Sequence, residues 1–533
     1  MLGVAEINPS VDVLDFFVNQ ILPELQDTSP QRPIVKAAAI KFVSTFRKQF
    51  THEHCVLLLP FLISHLSSTS VVVHTFSAHT IERMLVTKDD STNRVKIGAA
   101  ELSPQLNNLF EGLFRIVDNT DLEENDYVMK CMMRALIVGR REIMPHTELV
   151  VHRLTSALQR VAANPKDPKF NHYLFESLAI LIKSVCSVQP EAVEGFEGLL
   201  TTPFLQILQN QVAEFTPYVF QILAQLVDFR SKEAGMTSFY VGLLESIKKP
   251  ENWSQKGNIP ALTRLIKAYV EKFPAEIVQG NHTAPILGIY QKLISTNITQ
   301  SKGVELMNSI FIHFDSKSLE PFLKEILRLG MHAFVSRNTA KSRGNLASLL
   351  GVFVAKYNGA KLRAICDGLF NDLFIRVLRL WSQSLLEQTP VRFVDAKIQV
   401  FSVSRLLFED SSIGLGLLTN DPVAFANLIL AIGKIVASDS FTRQARTEGL
   451  DEDDFADVQF DSQFSELKYA RPLTPVDPTP DKDTINKAFV NGLAKMSSQC
   501  PGAIGTALEQ STAKSDLKET LRAVLAQHGT QIA

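Results

Sequence analysis

Residues 174–185 read LFESLAILIKSV, with Leu174, Leu178, Leu181, Ile182 and Val185 recurring every three or four positions. At 3.6 residues per turn this spacing puts the five apolar side chains on one face of a helix. The same stripe returns in Val35, Ala39, Phe42, Val43 and Phe46, and again in Leu262, Leu265, Ile266, Tyr269 and Val270. Leu346, Leu349, Leu350, Phe353 and Val354 repeat it once more. Sustained alternation of period two is missing, so the expected class is all-α.

The breaks between stripes are regular as well. Helices are expected to open near Asn8-Pro9, Thr51, Ser103-Pro104, His146, Gln189-Pro190, Ala284-Pro285 and Lys317. Proline suits a first turn because its missing N–H would have no partner there, which makes Pro9, Pro104, Pro190 and Pro285 read as starts. Each start leads into a helix, a short turn and a second helix. The unit recurs roughly every 40–47 residues, the period of HEAT and armadillo repeats. One such hairpin buries too little apolar surface to offset the entropy of ordering it, whereas a hairpin packed between two neighbours does not face that deficit. The expected fold is therefore a right-handed superhelical solenoid of stacked helical hairpins, roughly ten of them over residues 1–438.

Beyond the array the composition shifts. The run Glu448-Gly449-Leu450-Asp451-Glu452-Asp453-Asp454-Phe455-Ala456-Asp457 has no basic residue, and Pro472, Pro475, Pro478 and Pro480 follow. Charge repulsion and proline both oppose helix, so residues 439–481 read as an acidic, proline-containing connector. Lys482–Met496 and Ser515–His528 carry helical spacing again and form a helical cap over 482–533. Two readings of the connector stand. It is a solvated linker, or an anionic clamp in which Asp451, Glu452, Asp453, Asp454 and Asp457 meet a basic partner surface, with Phe455 and Phe460 as anchors.

At 533 residues the chain exceeds what one compact core accommodates, which again points to an array. Its composition, 45% hydrophobic and 21% charged, is that of an ordinary globular protein. A net charge of -2 supplies no global field for nucleic acid or an anionic bilayer. Cys55, Cys131, Cys186, Cys366 and Cys500 are scattered without a C-x-x-C pair, which fits a reducing compartment and argues against a zinc ribbon. Met1–Ser10 lacks the pattern of a signal peptide. The apolar runs Cys55–Ile63 and Val423–Ala437 are too short, or are interrupted by Lys434, to span a bilayer. Cytosol, nucleus or both is the expected location, and the Asn-x-Ser/Thr sites at Asn252, Asn281 and Asn297 then carry little meaning.

No constellation supports catalysis or a cofactor. In His52-Glu53-His54-Cys55, neighbouring side chains on a helix diverge by about 100°, and the spacing that puts two imidazoles on one face is absent. The cluster reads as a helix start. His74 and His79 are five apart and are expected to be structural. Gly414-Leu415-Gly416 lacks the third glycine and the preceding strand of a phosphate loop. Glu123-Glu124 and Asp453-Asp454 sit in apparent linkers, where hydrated carboxylates do no acid–base work. Arg140-Arg141 and Lys341-Ser342-Arg343 read as loop charges, with no aromatic ladder to suggest nucleic acid.

Several segments resemble one family in collinear order. They are Phe16–Leu25 (FFVNQILPEL), Val71–Leu85 (VVVHTFSAHTIERML), Asn171–Ala179 (NHYLFESLA), Phe215–Asp228 (FTPYVFQILAQLVD) and Gly257–Lys272 (GNIPALTRLIKAYVEK), followed by Gly288–Ser295, Leu306–Ile310 and Cys500-Pro501-Gly502. Together they resemble the CAS-type exportins, the importin-α re-exporters of the importin-β superfamily. The resemblance implies stacked HEAT repeats that coil around importin-α and the GTPase Ran in its GTP form within the nucleus. It implies shuttling between nucleus and cytoplasm, where GTP hydrolysis releases the cargo. Each ligand favouring the same curvature would raise the other's affinity, a coupling of about 1–3 kcal/mol. The family's first repeats, which grip Ran, have no counterpart here, so the chain reads as the C-terminal portion, with an apolar repeat face expected near residues 1–50. The resemblance transfers no named contact residue, no cofactor, no nucleic acid and no membrane insertion. The repeats alone also fit a generic HEAT scaffold of a multiprotein complex.

Overall fold

The computed structural model describes residues 12–442, 466–472 and 476–530. The regular structure in them is helical, and the one β-type pairing among the described residues is an isolated bridge between Lys88 and Val95. The chain forms two compact units, one of residues 1–234 with 449–472, the other of 235–448 with 473–533.

In the first unit the longer helices are α1 (Pro33–Phe46), α2 (His52–His65), α3 (Val71–Leu85), α4 (Leu106–Val117) and α5 (Asp126–Gly139). They continue with α6 (Thr147–Ala162), α7 (Pro168–Cys186), α8 (Val193–Gln209) and α9 (Thr216–Phe229). Consecutive helices pair as α2/α3, α4/α5, α6/α7 and α8/α9. One row holds α2, α4, α6 and α8, and a more closely packed row holds α1, α3, α5, α7 and α9.

The second unit begins with α10 (Ser238–Ile247), α11 (Ile259–Lys272), α12 (Thr283–Ile294), α13 (Gln300–His313) and α14 (Leu323–Arg337). Next come α15 (Ala340–Tyr357), α16 (Leu373–Glu387), α17 (Phe393–Phe408), α18 (Ser411–Asn420) and α19 (Pro422–Val436). The chain closes with α20 (Lys482–Gln499), α21 (Ala503–Gln510) and α22 (Ser515–Gln527). Here α12, α14, α16 and α19 form one row, and α11, α13, α15, α17 and α20 the other; α21 and α22 pack on α19. The long connector thus lies between a first-row helix and a second-row helix, inside a repeat.

Local chemistry explains the boundaries. Thr51 caps α2 by accepting the N–H of His54, while Asp167 accepts from Lys169 and Phe170 at the start of α7. Near Ser103-Pro104 the helix begins earlier than the proline suggests. Gly98 and Glu101 open a short helix over Ala99–Leu102, and Pro104 falls in a 3-10 turn that leads into α4. Lys341, Ser342 and Arg343 lie in the first turn of α15 rather than in a loop, because Thr339 caps that helix and Arg343 pairs with Glu387 at 2.6 Å. The expected start at Asn8-Pro9 lies outside the described residues.

The stripes face the core, with one exception. Val35 is exposed, and its place is taken by Lys36, whose ammonium is held by Asp27 at 2.8 Å and the carbonyl of Ser29 at 2.6 Å. Phe16, Val18 and Ile34 are also exposed, Ile34 to 81%. Among the described residues no single helix is long and apolar enough to cross a membrane; α18 and α19 pass that test only jointly and are bent by 119° at Asp421.

A cation ladder ties neighbouring repeats together. The last turn of a helix leaves carbonyls without intrahelical partners. A lysine or arginine one repeat later supplies the donor: Arg160 to Val117 at 2.5 Å, Arg337 to Ile294 at 2.8 Å, Lys356 to Phe314 at 2.9 Å. Arg405 reaches Ala355 at 2.9 Å and Lys434 reaches Leu386 at 2.6 Å. Each positive charge also meets the negative end of the helix dipole it caps. These five contacts span 43, 43, 42, 50 and 48 residues, so the repeat period is written in the capping as well as in the apolar stripes.

Candidate functional site

Asp451, Glu452, Asp453, Asp454 and Asp457, with Phe455 and Phe460, lie outside the described residues. The end of the connector does not. Residues 466–472 cross the second-row helices α7 and α9 of the first unit, and Leu467, Tyr469 and Ala470 are buried there. This end of the connector, read from sequence as a solvated linker or an anionic clamp, is therefore part of the core.

Three side chains hold this strap by its backbone. Glu176 on α7 accepts the N–H of Lys468 through Oε1 at 2.6 Å and that of Tyr469 through Oε2 at 3.3 Å. Gln221 on α9 accepts the N–H of Leu467 at 2.8 Å. One turn on, Gln225 donates from Nε2 both to the Tyr469 carbonyl at 3.1 Å and to the Ala179 carbonyl at 2.9 Å. The spacing of Gln221 and Gln225 places both on one face of α9. Both helices are buried nearly all round, so a polar residue midway along either must meet a hydrogen-bonding partner.

Burial governs the charges. Glu176 is fully shielded from solvent, which pushes its carboxyl up to about 7, against the pull of the two strap N–H groups and of Lys468 and Arg471. His172 lies one turn before it, with Nε2 3.9 Å from Oε1, and burial lowers its imidazole to about 4. His172 is thus a neutral ring at physiological pH, and its Nδ1 lies 3.2 Å from the Tyr218 hydroxyl. Tyr218 in turn stacks on Phe175 at 4.7 Å. The arrangement holds a turn of the chain by its backbone. It contains no activated nucleophile.

Next to it, the same row carries a cavity of about 310 Å³ lined by His79, Arg83, Asp126, Tyr127, Lys130, Lys169 and Tyr173. Lys130 sits over the Tyr173 ring at 5.8 Å, and His79 meets Tyr127 edge-on at 5.2 Å. His79, expected to be merely structural, therefore lines an open concavity, while His74 bonds the Ser68 carbonyl at 3.1 Å. At His52-Glu53-His54-Cys55 the side chains diverge as expected. His52 bonds the Lys96 carbonyl at 2.7 Å, His54 completes the α2 cap, and burial pushes the Cys55 thiol up to about 11. Among the described residues no group of three or more His, Cys, Asp or Glu is placed to hold a metal ion.

Glu176, Gln221 and Gln225 were not singled out by sequence. Their signal is present, however: each is a polar residue midway along a predominantly apolar helix. All three fall within the family-like segments NHYLFESLA and FTPYVFQILAQLVD.

A family model described as the C-terminus of CAS/CSE proteins matches residues 82–527, and one described as Cse1 matches residues 1–81. The chain belongs to the CAS/CSE family. Exportin-2 of Mus musculus is 32% identical over 511 residues, covering 94% of this chain and 51% of the relative. This CAS/CSE chain therefore spans about half the length of the curated relatives it matches. Among solved structures, the exportin Cse1 in its cargo-free, cytoplasmic state superposes with a TM-score of 0.78 at 24% identity, covering 97% of this chain and 52% of the other. Importin beta gives 0.59 at 11% identity over 98% of this chain and 57% of its own. These two likenesses establish the HEAT solenoid fold of the CAS/CSE chain.

Proposed function

We propose that the chain is the C-terminal portion of a nuclear export receptor, which binds importin-α together with Ran in its GTP form and shuttles between nucleus and cytoplasm. The carrying observation is the family match over residues 82–527 joined to 32% identity with Exportin-2. Two stacked helical rows per unit support it physically, because a row of second helices offers a continuous wall on which a protein partner can spread its contacts. The acidic run from Asp451 to Asp457 supplies an anionic element for a basic surface of either partner. The relatives' name is that of a transport receptor, and the protein is proposed to act by binding rather than catalysis.

Co-precipitation tests this reading. The chain, and the chain fused behind the N-terminal half of Mus musculus Exportin-2, are each incubated with importin-α and with Ran loaded with GTP or GDP. The fusion is expected to retain importin-α only with GTP-loaded Ran. Retention that ignores the nucleotide, or none at all, overturns the proposal and favours a scaffold in some other complex.

A further inference from the structure

We propose that the face of α7 and α9 carrying Glu176, Gln221 and Gln225 is a receptor site for a peptide turn, and that Leu467–Ala470 is its displaceable occupant in cis. The contacts define what the site reads. Side chains of the helices meet three successive backbone N–H groups and one carbonyl of the strap. A turned backbone is recognised: the chain bends at Lys468 and turns through Tyr469 and Ala470, so the N–H groups of Leu467, Lys468 and Tyr469 face the helices together while Leu467, Tyr469 and Ala470 are buried. Successive N–H groups in a turn make an anion-binding concavity, and the Glu176 carboxylate occupies it.

The path of the chain shows that the strap is not needed to join its neighbours. Connections within helical hairpins usually take about 2–8 residues. The chain between Val436 and Lys482 is many times longer, and its residues Leu467–Ala470 pack within the first unit. Polar anchors also make the site exchangeable. A vacated apolar groove stays costly, but Glu176, Gln221 and Gln225 can be rehydrated once the strap leaves. A cis segment held by a few bonds gains mainly from its high effective concentration, on the order of millimolar for a short flexible tether. A protein partner that brings its own apolar-x-aromatic turn on a larger interface can therefore replace it.

The test uses the full chain and a fluorescein-labelled peptide of residues 463–474, QFSELKYARPLT, followed by fluorescence anisotropy. Two strap variants open the site without touching the helices: L467D/Y469D, and Lys468→Pro, which removes the N–H given to Glu176. Each is expected to bind the peptide at least ten-fold more tightly than the intact chain. A peptide carrying the same Lys-to-Pro change should not bind, and adding Glu176→Ala and Gln221→Ala should abolish binding. Trypsin cleavage after Lys468 should rise at least ten-fold in L467D/Y469D while the helical circular dichroism is retained. Equal peptide binding by intact and opened chains, no binding by the opened chains, or binding that survives loss of Glu176 and Gln221 overturns the proposal.

Discussion

Glu82 on α3 and Arg134 on α5 face each other with both side chains shut off from solvent, Oε1 and Nε 3.5 Å apart. Lys130 stands at the edge of the pair, 3.9 Å from the same oxygen. The two neighbouring repeats are thus bridged by an ion pair inside an apolar layer. Removing one partner of such a pair leaves a buried charge uncompensated, which costs about 3–5 kcal/mol, whereas replacing both is often close to neutral. Arg134→Leu should therefore destabilise the first unit by about that amount, and the double variant E82L/R134L should recover most of it. Urea denaturation followed by far-UV circular dichroism measures both. A double variant as unstable as the single one would show that the pair's packing, not its charge balance, is what matters.

Glu176 and His172 give the first unit opposing pH responses. The fold holds a proton on Glu176 up to about 7, whereas the unfolded chain releases it near 4.5. Its stabilising share is full below 4.5 and is lost as the pH rises through 7. His172 is the reverse. The unfolded chain protonates near 6.5 and the fold resists until about 4, so His172 weakens the fold as the pH drops below 6.5. Between about 4.5 and 6.5 the two slopes oppose each other. Glu176→Gln should leave the His172 slope alone, making the melting temperature climb more steeply from pH 4.5 to 6.5 than in the unmodified chain. Parallel melting-temperature profiles for the two proteins would contradict this.

The acidic run offers an electrostatic prediction for the proposed partners. Exposed charges act over a Debye length of about 8 Å at physiological salt and further when salt is low. Replacing Asp451, Glu452, Asp453, Asp454 and Asp457 with Asn or Gln should weaken importin-α and Ran binding several-fold at 20 mM salt and little at 300 mM, as read by titration calorimetry. Unchanged affinity at low salt would leave the run as a solubilising linker.

How much was legible in the sequence follows from the range over which each contact acts. Stripes such as Leu262, Leu265, Ile266, Tyr269 and Val270 reside within one helix, so local spacing reveals them and all five are buried. Thr51 and Asp167 act within one turn and are equally readable. Val35 misled because a buried lysine with its own carboxylate, Asp27, took the inward position, and binary patterning does not anticipate a satisfied buried charge. The strap was illegible for a different reason. Lys468 meets Glu176 across 292 residues, and neither segment says where the other goes. Proline and acid argue against helix, yet they are silent on whether a non-helical segment is buried.

Gly414 and Gly416, two residues apart on α18, separate packing from helix propensity. A Cβ at Gly414 would stand 2.1 Å from the Leu407 carbonyl oxygen and 2.5 Å from Cε of Met496, whereas at Gly416 nothing lies within 4 Å. The obstacle at Gly414 includes backbone, which cannot step aside as a flexible side chain does. Gly414→Ala should therefore destabilise the second unit by about 1–3 kcal/mol, in the manner of an overpacked core. Gly416→Ala should stabilise it by about 0.5–1 kcal/mol, since alanine is the better helix former and meets no neighbour. Trp253 and Trp381 both belong to the second unit, so tryptophan fluorescence during urea denaturation reports on the relevant part of the chain. Opposite shifts of the denaturation midpoint are expected for two identical chemical changes a fraction of a turn apart. Shifts of the same sign would mean that α18 does not pack against the end of α17 and Met496 as closely as the geometry requires.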